Sequence, residues 1–310
     1  MYINYRSIEN LNEAILKNLH VFPHDVDLVV GIPRSGMLPA NLLAMYLNKP
    51  YTDIDSFLSN RIYQVGSRSR FLEDHGIKKV LVIDDSINYG TALGKCKEKI
   101  KENLASADKQ IYYAAIYASS RSKDMVDFYC EIIDGYRMFQ WNFFHHSIVQ
   151  HSCFDIDGVL CQNPPMDDDG PIYTEFIKHA PALYIPTVEI DMLVSCRLEK
   201  YREVTEEWLR NNNVKYKKLV MLDFPDKETR VKWGKHGEYK GQVYKKCDNY
   251  LFVESSLVQA KKIFEITNKP VFCIENFSMI NNESVLNKSY SKIKKSDRLL
   301  YIKRLIRKFI

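Results

Sequence analysis

The sequence lacks the features that mark several large classes of protein. Its seven cysteines are scattered, odd in number and never spaced as CxxC, which argues against a disulfide framework or a zinc site. No stretch approaches 18 consecutive apolar residues, so a membrane-spanning helix is not expected. The first residues include acids and do not follow the basic and then apolar layout of a signal peptide. These absences predict a reduced, cytoplasmic protein.

Positive charge is concentrated in one segment. Residues 288–310 contain nine Lys or Arg and one Asp, whereas the rest of the chain has 35 basic and 38 acidic residues. Within this segment apolar residues such as Leu299, Ile302 and Leu305 recur at helical spacing. We therefore predict a basic amphipathic tail over 281–310, suited either to an anionic membrane surface at the inner face of the cell membrane or to the protein's own acidic body. The mildly acidic remainder argues against nucleic-acid binding.

The hydrophobic pattern predicts two α/β domains. A chain of 310 residues is long enough for two cores. Apolar strands alternate with helices in both halves, which implies parallel sheets with right-handed crossovers. The predicted strands are 27–32, 80–83, 111–117, 152–154, 191–194, 218–222, 250–253 and 271–274, and the predicted helices include 39–47, 90–103, 198–211 and 257–267. The predicted domains are 1–125 and 148–280, separated by an aromatic junction over 126–147 that serves as an interface or an acceptor-binding surface.

The run VLVIDDSINYGTAL (80–93) carries the first candidate site. Asp84 and Asp85 leave the end of a buried strand, where charge is costly unless it is used. Two carboxylates can accept hydrogen bonds from the vicinal hydroxyls of a ribose, and the loop that follows offers N–H groups at a helix N-terminus as a phosphate seat. The pattern thus favours a ribose 5-phosphate ligand over an ordinary capped helix. The predicted loop contacts are Ser86, Asn88, Tyr89, Gly90 and Thr91.

This run resembles the phosphoribosyl-pyrophosphate loop of type I phosphoribosyltransferases, and its GTA ending is most similar to the orotate branch. The run VVGIPRSGM resembles the pyrophosphate loop of the same family. The resemblance implies that Asp84 and Asp85 act in catalysis and that Mg²⁺ bridges the diphosphate and the ribose hydroxyls. It also implies diphosphate contacts from Arg34, Ser35 and Gly36, and from Arg61, Arg68 and Arg70 of a mobile loop.

Two departures from that family concern the acceptor. Tyr89 stands where the family usually has a small residue or Thr, and no base-binding hood is recognisable. The acceptor of the phosphoribosyl group therefore need not be a nucleobase.

The run FDIDGVL (154–160) carries the second candidate site. Asp155 and Asp157 lie two residues apart just beyond a predicted strand. A carboxylate nucleophile can form an aspartyl-phosphate, and a second carboxylate can protonate the leaving alcohol and then activate water. Mg²⁺ would offset the repulsion between these acids and a phosphate. The DxDG pattern alone also occurs in calcium loops.

Together with downstream residues, this motif resembles the haloacid dehalogenase superfamily of phosphatases. The resemblance assigns Asp155 as nucleophile, Asp157 as general acid and base, and Ser195 as the hydroxyl that binds the phosphoryl group. Lys240 is the predicted phosphatase lysine, with Lys245 as the alternative. Glu254, together with Asp155 and Asp157, is the predicted Mg²⁺ ligand, although the family usually has paired acids at that position.

The two resemblances together predict a bifunctional enzyme. It would transfer 5-phosphoribosyl from phosphoribosyl pyrophosphate to a glycan, lipid-linked in one version of this hypothesis, and then remove the 5-phosphate. Such pairs resemble the systems that install ribofuranose units in bacterial surface polysaccharides. The alternatives are a nucleobase phosphoribosyltransferase with a nucleotide 5′-phosphatase, and a phosphoribosyl pyrophosphate sensor without turnover.

Overall fold

The computed structural model describes residues 2–63, 76–103, 109–164 and 168–281. The chain divides into two compact units, one spanning Asn4–Asn142 and the other beginning at Phe143. Both are α/β with parallel sheets flanked by helices, in agreement with the fold class predicted from the alternating pattern.

The first unit contains a five-stranded parallel sheet. The strands of this unit are β1 (Ile3–Arg6), β2 (Leu28–Gly31), β3 (Tyr51–Asp53), β4 (Lys79–Ser86), β5 (Gln110–Ala118), β6 (Phe128–Ile132) and β7 (Tyr136–Phe139). The main sheet has the order β3-β2-β4-β5-β6, while β1 and β7 pair separately. The strand order reverses between β2 and β4, which is where ligands bind in open parallel sheets.

Helices cover both faces of this sheet. They are α1 (Ile8–Lys17), α2 (Met37–Leu47), α3 (Ile54–Leu58) and α4 (Thr91–Asn103). Successive strand residues point to opposite faces, so Val29 and Leu81 pack in the cluster that contains α1 and α2 residues. Val30 and Val82 pack in the cluster that contains α3 and α4 residues. Burial on both faces explains why these strands are continuous apolar runs.

The second unit contains a six-stranded sheet in the order β10-β9-β8-β11-β12-β13. Its strands are β8 (Ser152–Phe154), β9 (Ile190–Leu198), β10 (Tyr216–Leu222), β11 (Leu251–Glu254), β12 (Val271–Cys273) and β13 (Ser278–Ile280). Its helices are α5 (Gly170–His179), α6 (Arg202–Asn211), α7 (Lys227–Trp233), α8 (His236–Lys245) and α9 (Leu257–Thr267). All pairs are parallel except β12–β13, and the order reverses between β8 and β11.

Two predictions concern membranes and the tail. Among the residues described, no helix is both long enough and apolar enough to cross a membrane. Nearly all of the predicted amphipathic tail lies outside the described residues, which end at 281.

Candidate active sites

The first site lies at the point where the strand order of the five-stranded sheet reverses. Residues 32–36 follow β2, and residues 87–90 follow β4. Gly36 allows the first loop to approach the sheet closely, because a Cβ at this position would lie 2.5 Å from the carbonyl oxygen of Ile32 and 2.8 Å from that of Ile83. The strand–loop–helix pattern thus brings PRSG and DDSINYG to one edge of the sheet.

Asp84 and Asp85 lie at this edge and are only 7% and 5% exposed. The hydroxyl of Ser35 donates to Asp85 at 2.9 Å, which links the two loops directly. The indole N–H of Trp141 donates to the other oxygen of Asp85 at 2.7 Å. The backbone N–H of Asp85 donates to the carboxylate of Asp84 at 2.8 Å.

Asp84 and Asp85 place two carboxyl groups side by side in a buried position. Burial, and then the neighbouring charge of Asp85, raise the pKa of Asp84 to about 8. The ionised form of a carboxyl with such a raised pKa is stabilised when a cation or hydroxyl donors approach it. The site is therefore electrostatically suited to a ligand that brings both.

The remaining residues of the predicted phosphate-binding loop range from half-buried to exposed. Gly90 has φ +72°, a conformation that favours glycine, and the exposed Thr91 begins α4. Tyr89 is 68% exposed, and the Arg121 guanidinium lies 4.8 Å from its ring centroid. The carbonyl of Asn88 accepts from Ser119 at 3.1 Å. Ser86 is the last residue of β4.

The predicted diphosphate arginines have different outcomes. Arg34 follows a cis peptide bond, and its side chain donates to Asn142. Arg61 is exposed, and its backbone bonds Ser56 and Thr52. Arg68 and Arg70 lie outside the described residues.

The sequence did not reveal that Trp141 and Arg137 support the first site. Trp141 stacks on Phe139 with ring centroids 4.9 Å apart, and Arg137 donates to the carbonyl of Ile87 at 3.0 Å. The aromatic character of this segment was visible in the sequence. Trp141 lies 56 residues from Asp85 in the chain, so their contact could not be inferred from neighbouring residues.

The second site lies where the six-stranded sheet reverses its order. Asp155 follows β8, and Glu254 is the last residue of β11. Lys240 of α8 donates to Asp155 at 2.8 Å and to Glu254 at 2.8 Å. All three are buried, with exposures of 4%, 2% and 0% for Asp155, Lys240 and Glu254. Lys245 is exposed on the same helix, so the structure places Lys240, and not Lys245, against the predicted nucleophile.

Charge compensation stabilises this buried cluster. Burial alone would lower the pKa of Lys240, but the carboxylates of Asp155 and Glu254 raise it overall. Lys240 therefore remains an ammonium ion and neutralises part of their charge. Backbone N–H groups of Ser255 and Ser256 also donate to Glu254, at 3.0 and 3.1 Å.

Asp157 has a cationic partner that the sequence did not reveal. The buried guanidinium of Arg197 donates to its two oxygens at 2.7 and 3.1 Å. Ser195 is fully buried, and its hydroxyl accepts from the backbone N–H of Arg197 at 3.1 Å. Ser195 and Arg197 both belong to β9, so this bond stabilises the strand end that carries Arg197, and Ser195 does not line the adjoining cavity.

That cavity has a volume of about 170 Å³. Its polar and charged walls include Asp155, Asp157, Arg197, Arg230, His236, Lys240 and Gln259. The predicted Mg²⁺ ligands Asp155, Asp157 and Glu254 are not grouped as a metal site: no cluster of three or more His, Cys, Asp or Glu side chains suited to a metal occurs in the described part of the chain. Lys240 and Arg197 already bond these carboxylates.

Comparison with known proteins identifies the first unit. The family model of the phosphoribosyl transferase domain matches residues 4–148. Residues 4–148 therefore form a type I phosphoribosyltransferase domain, as the two loops predicted.

Solved phosphoribosyltransferases are similar to part of the chain. The xanthine-guanine-hypoxanthine enzyme of Helicobacter pylori is 17% identical, covering 46% of this chain and 92% of its own, with a TM-score of 0.33. A purine phosphoribosyltransferase from Pyrococcus horikoshii Ot3 is 21% identical, covering 46% and 95%, with a TM-score of 0.35. The orotate enzyme of Aeropyrum pernix is 17% identical, covering 36% and 58%, with a TM-score of 0.25.

A curated protein with a different name is also similar in sequence. The nucleoporin NUP84 of Chaetomium thermophilum is 26% identical over 225 residues, which is 71% of this chain. The matched region spans 22% of the nucleoporin's length.

Proposed function

We propose that this protein transfers 5-phosphoribosyl from phosphoribosyl pyrophosphate to a glycan and then removes the 5-phosphate, which leaves a ribofuranosyl unit. The observation that carries the second step is the contact of Lys240 with both Asp155 and Glu254, beside a cavity that Asp157 also lines. The first step extends the phosphoribosyltransferase character of residues 4–148 to a particular acceptor.

In the first step the chain positions the donor and stabilises the departing charge. Asp84 and Asp85 accept hydrogen bonds from the ribose hydroxyls, while the backbone around Ser35 and Gly36 holds the diphosphate. The bond from C1 to the diphosphate oxygen breaks, a bond from C1 to the acceptor oxygen forms, and the departing pyrophosphate takes the proton of the acceptor hydroxyl. Ser35 and Trp141 fix Asp85 beforehand, so little reorganisation is needed as charge develops.

Mg²⁺ fits the first site. Two adjacent buried carboxylates, with the pKa of Asp84 raised by burial and by Asp85, form an acidic site that favours a divalent cation and oxygen ligands. Asp84 and Asp85 would hold the ion next to the bound phosphoribosyl pyrophosphate. When bound, the ion neutralises charge on the leaving diphosphate.

In the second step Asp155 attacks the phosphorus of the 5-phosphate. The bond from phosphorus to the sugar oxygen breaks, and Asp157 passes a proton to that oxygen. Water, deprotonated by Asp157, then attacks the aspartyl-phosphate and releases inorganic phosphate with Asp155 regenerated. Lys240 neutralises charge on the nucleophile, and Arg197 orients Asp157.

Mg²⁺ does not fit the second site as it is arranged. Its three predicted carboxylate ligands are bonded by Lys240 and Arg197. The chemistry above is therefore derived from side chains alone.

A glycan acceptor is supported by the pairing of the two activities. The product of phosphoribosyl transfer is a phosphate monoester, which is the substrate class of an aspartyl-phosphate phosphatase. Removal of the phosphate is useful where the ribosyl unit itself is the desired product, as in the ribofuranose-installing systems that this pair resembles.

The test is mass spectrometry of products from phosphoribosyl pyrophosphate and a panel of acceptors. The panel contains oligosaccharides, orotate and purines, and the full chain is compared with Asp155→Asn. We expect a pentosyl glycan with the intact chain and a phosphopentosyl glycan with Asp155→Asn. Asp84→Asn combined with Asp85→Asn should give neither product.

Each other result has a defined meaning. A nucleotide from orotate or purines would support the salvage alternative, and donor binding without pyrophosphate release would support a sensor. Equal dephosphorylation by the intact chain and Asp155→Asn would reject Asp155 as the nucleophile.

A further inference from the structure

Three polar atoms of residues that line the second cavity have no hydrogen-bond partner within the described ranges. They are Nε of Arg230, Nε2 of His236 and Oε1 of Gln259. Each is buried, and a buried polar atom without a partner raises the free energy of the folded protein. After small rotations of these side chains, a ligand in the cavity would become the hydrogen-bond partner of all three atoms and would recover that free energy.

The fold brings these residues together from three helices. Arg230 belongs to α7 and is 4% exposed; its terminal nitrogens already bond Asp168 and the carbonyl of Cys196. His236 is the first residue of α8, and Gln259 lies in the first turn of α9. Gly237 permits this approach, because a Cβ there would lie 3.3 Å from Cα of Gln259.

The mixture of donors and acceptors indicates the kind of ligand. Arg230 Nε can only donate, whereas Gln259 Oε1 can only accept. Burial, and then the charges of Arg230 and Lys240, lower the pKa of His236, which favours a neutral ring with one donor and one acceptor nitrogen. A phosphate dianion offers no proton to Gln259, but a hydroxyl group both donates and accepts.

The size of the cavity restricts the ligand further. A volume of about 170 Å³ lies below the range of about 300–1,000 Å³ that is typical for drug-sized ligands. The cavity therefore suits a single sugar ring with its phosphate better than a nucleotide with its base.

We propose that Arg230, His236 and Gln259 form a hydroxyl-recognition subsite for a furanosyl 5-phosphate whose phosphorus is attacked by Asp155. The subsite rests on the proposed phosphatase function and gives that function its selectivity. These residues hold the ring hydroxyls, so the subsite rejects phosphate esters that lack them.

The test compares phosphate release from methyl β-D-ribofuranoside 5-phosphate and from its 2,3-dideoxy analogue. We expect kcat/KM to favour the hydroxylated ester by about 100-fold or more, because buried polar groups would stay unpaired with the analogue. Gln259→Leu should reduce that ratio to about 10-fold or less. The matched control is Lys261→Met, an exposed position on the same helix that does not line this cavity, and it should keep the ratio of the intact chain.

A ratio near one for the intact chain, or an unchanged ratio in Gln259→Leu, overturns the subsite. The ratio is used because a general loss of folding would lower both rates together. Arg230→Met is less suitable, because it also removes bonds to Asp168 and Cys196.

A binding experiment separates this proposal from the phosphatase function. Both esters are titrated calorimetrically into Asp155→Asn that also carries Asp84→Asn and Asp85→Asn, which disables the first site. Tighter binding of the hydroxylated ester that is lost with Gln259→Leu supports the subsite even if no ester is hydrolysed. Equal Kd values for the two esters overturn it.

Discussion

The ammonium of Lys240 donates to the carboxylate of Asp155 across 2.8 Å, although 85 residues separate them in the chain. Both are almost completely buried. Removing one member of such a pair leaves uncompensated charge in the interior, which is far more costly than losing an exposed ion pair. The contact is thus both a feature of the proposed phosphatase site and a strong determinant of local stability.

Lys240→Met should destabilise the second unit by about 3–5 kcal/mol, because Asp155 and Glu254 would lose their shared cation. Lys245→Met on the same helix is the matched control and should change stability by less than about 0.5 kcal/mol, since Lys245 is exposed. Hydrogen exchange of the β8 and β11 amides measures the effect locally. Similar protection in both variants would contradict the structural role of Lys240.

The folding stability of Asp84→Asn, relative to that of the natural protein, should increase as pH rises. The folded-state pKa of Asp84 is raised to about 8 by burial and by Asp85, whereas an unfolded Asp titrates near about 4. Asp84 therefore contributes stability that is fully present below about pH 4 and is lost as the pH rises through about 8. Thermal unfolding of both proteins between pH 3 and 9 measures the difference.

Asp53→Asn provides the contrast in sign. Burial opposes the shift, but hydrogen bonds from Ser56 and Tyr63 lower the pKa of Asp53 to about 2. The stability that Asp53 contributes is present above about pH 4 and is lost as pH falls toward 2. The stability that Asp53→Asn loses relative to the natural protein should therefore grow as pH rises, which is the opposite of Asp84→Asn. Parallel plots of stability against pH for the two variants would contradict both pKa shifts.

Trp141→Phe should weaken binding of phosphoribosyl pyrophosphate by about 3- to 10-fold, because the indole N–H that fixes Asp85 at 2.7 Å is lost. The aromatic stack on Phe139 is retained, so folding should be preserved. Titration calorimetry with Mg²⁺ measures the Kd. Trp233→Phe is the control, since Trp233 belongs to the second unit, and equal affinities in the two variants would rule out a positioning role for Trp141.

Gly36→Ala should reduce pyrophosphate release by about 100-fold or more, since misplacement of a substrate-holding loop by about 1 Å has an effect of that size. The added Cβ would lie 2.5 Å from the carbonyl oxygen of Ile32. Gly94→Ala is the matched control, because nothing lies within 4 Å of a Cβ there. That change should preserve activity and stabilise α4 by about 1 kcal/mol, and full activity in Gly36→Ala would show that the loop tolerates the side chain.

The buried strands were predictable because the pattern around them is local. Residues 80–83 are an apolar run followed by Asp84, and residues 152–154 directly precede Asp155. The structure has strands at both places, β4 and β8. The predicted helix over 257–267 coincides with α9. Short or polar elements such as β3, α7 and α8 were not predicted, since their stability comes from packing against neighbours and less from their own sequence.

The candidate site residues divide in the same way. Asp84, Asp85, Asp155 and Asp157 stand in short contiguous motifs, so their chemistry was readable from the sequence. Trp141, Arg197 and Gln259 were missed because each meets its site across a long chain separation, and an isolated Trp, Arg or Gln carries no motif.

The sequence by itself determined where acids leave buried strands, because strand periodicity and adjacent charges are properties of neighbouring residues. Only the tertiary structure decided between Lys240 and Lys245 as the cation beside Asp155, and only it revealed Arg197 as the partner of Asp157. Lys240 bonds Asp155 and Glu254, and Arg197 bonds Asp157, because parallel strands and the helices between them bring distant residues to one edge of a sheet. Pairing in a low-dielectric interior depends on those distances in space and not on order along the chain.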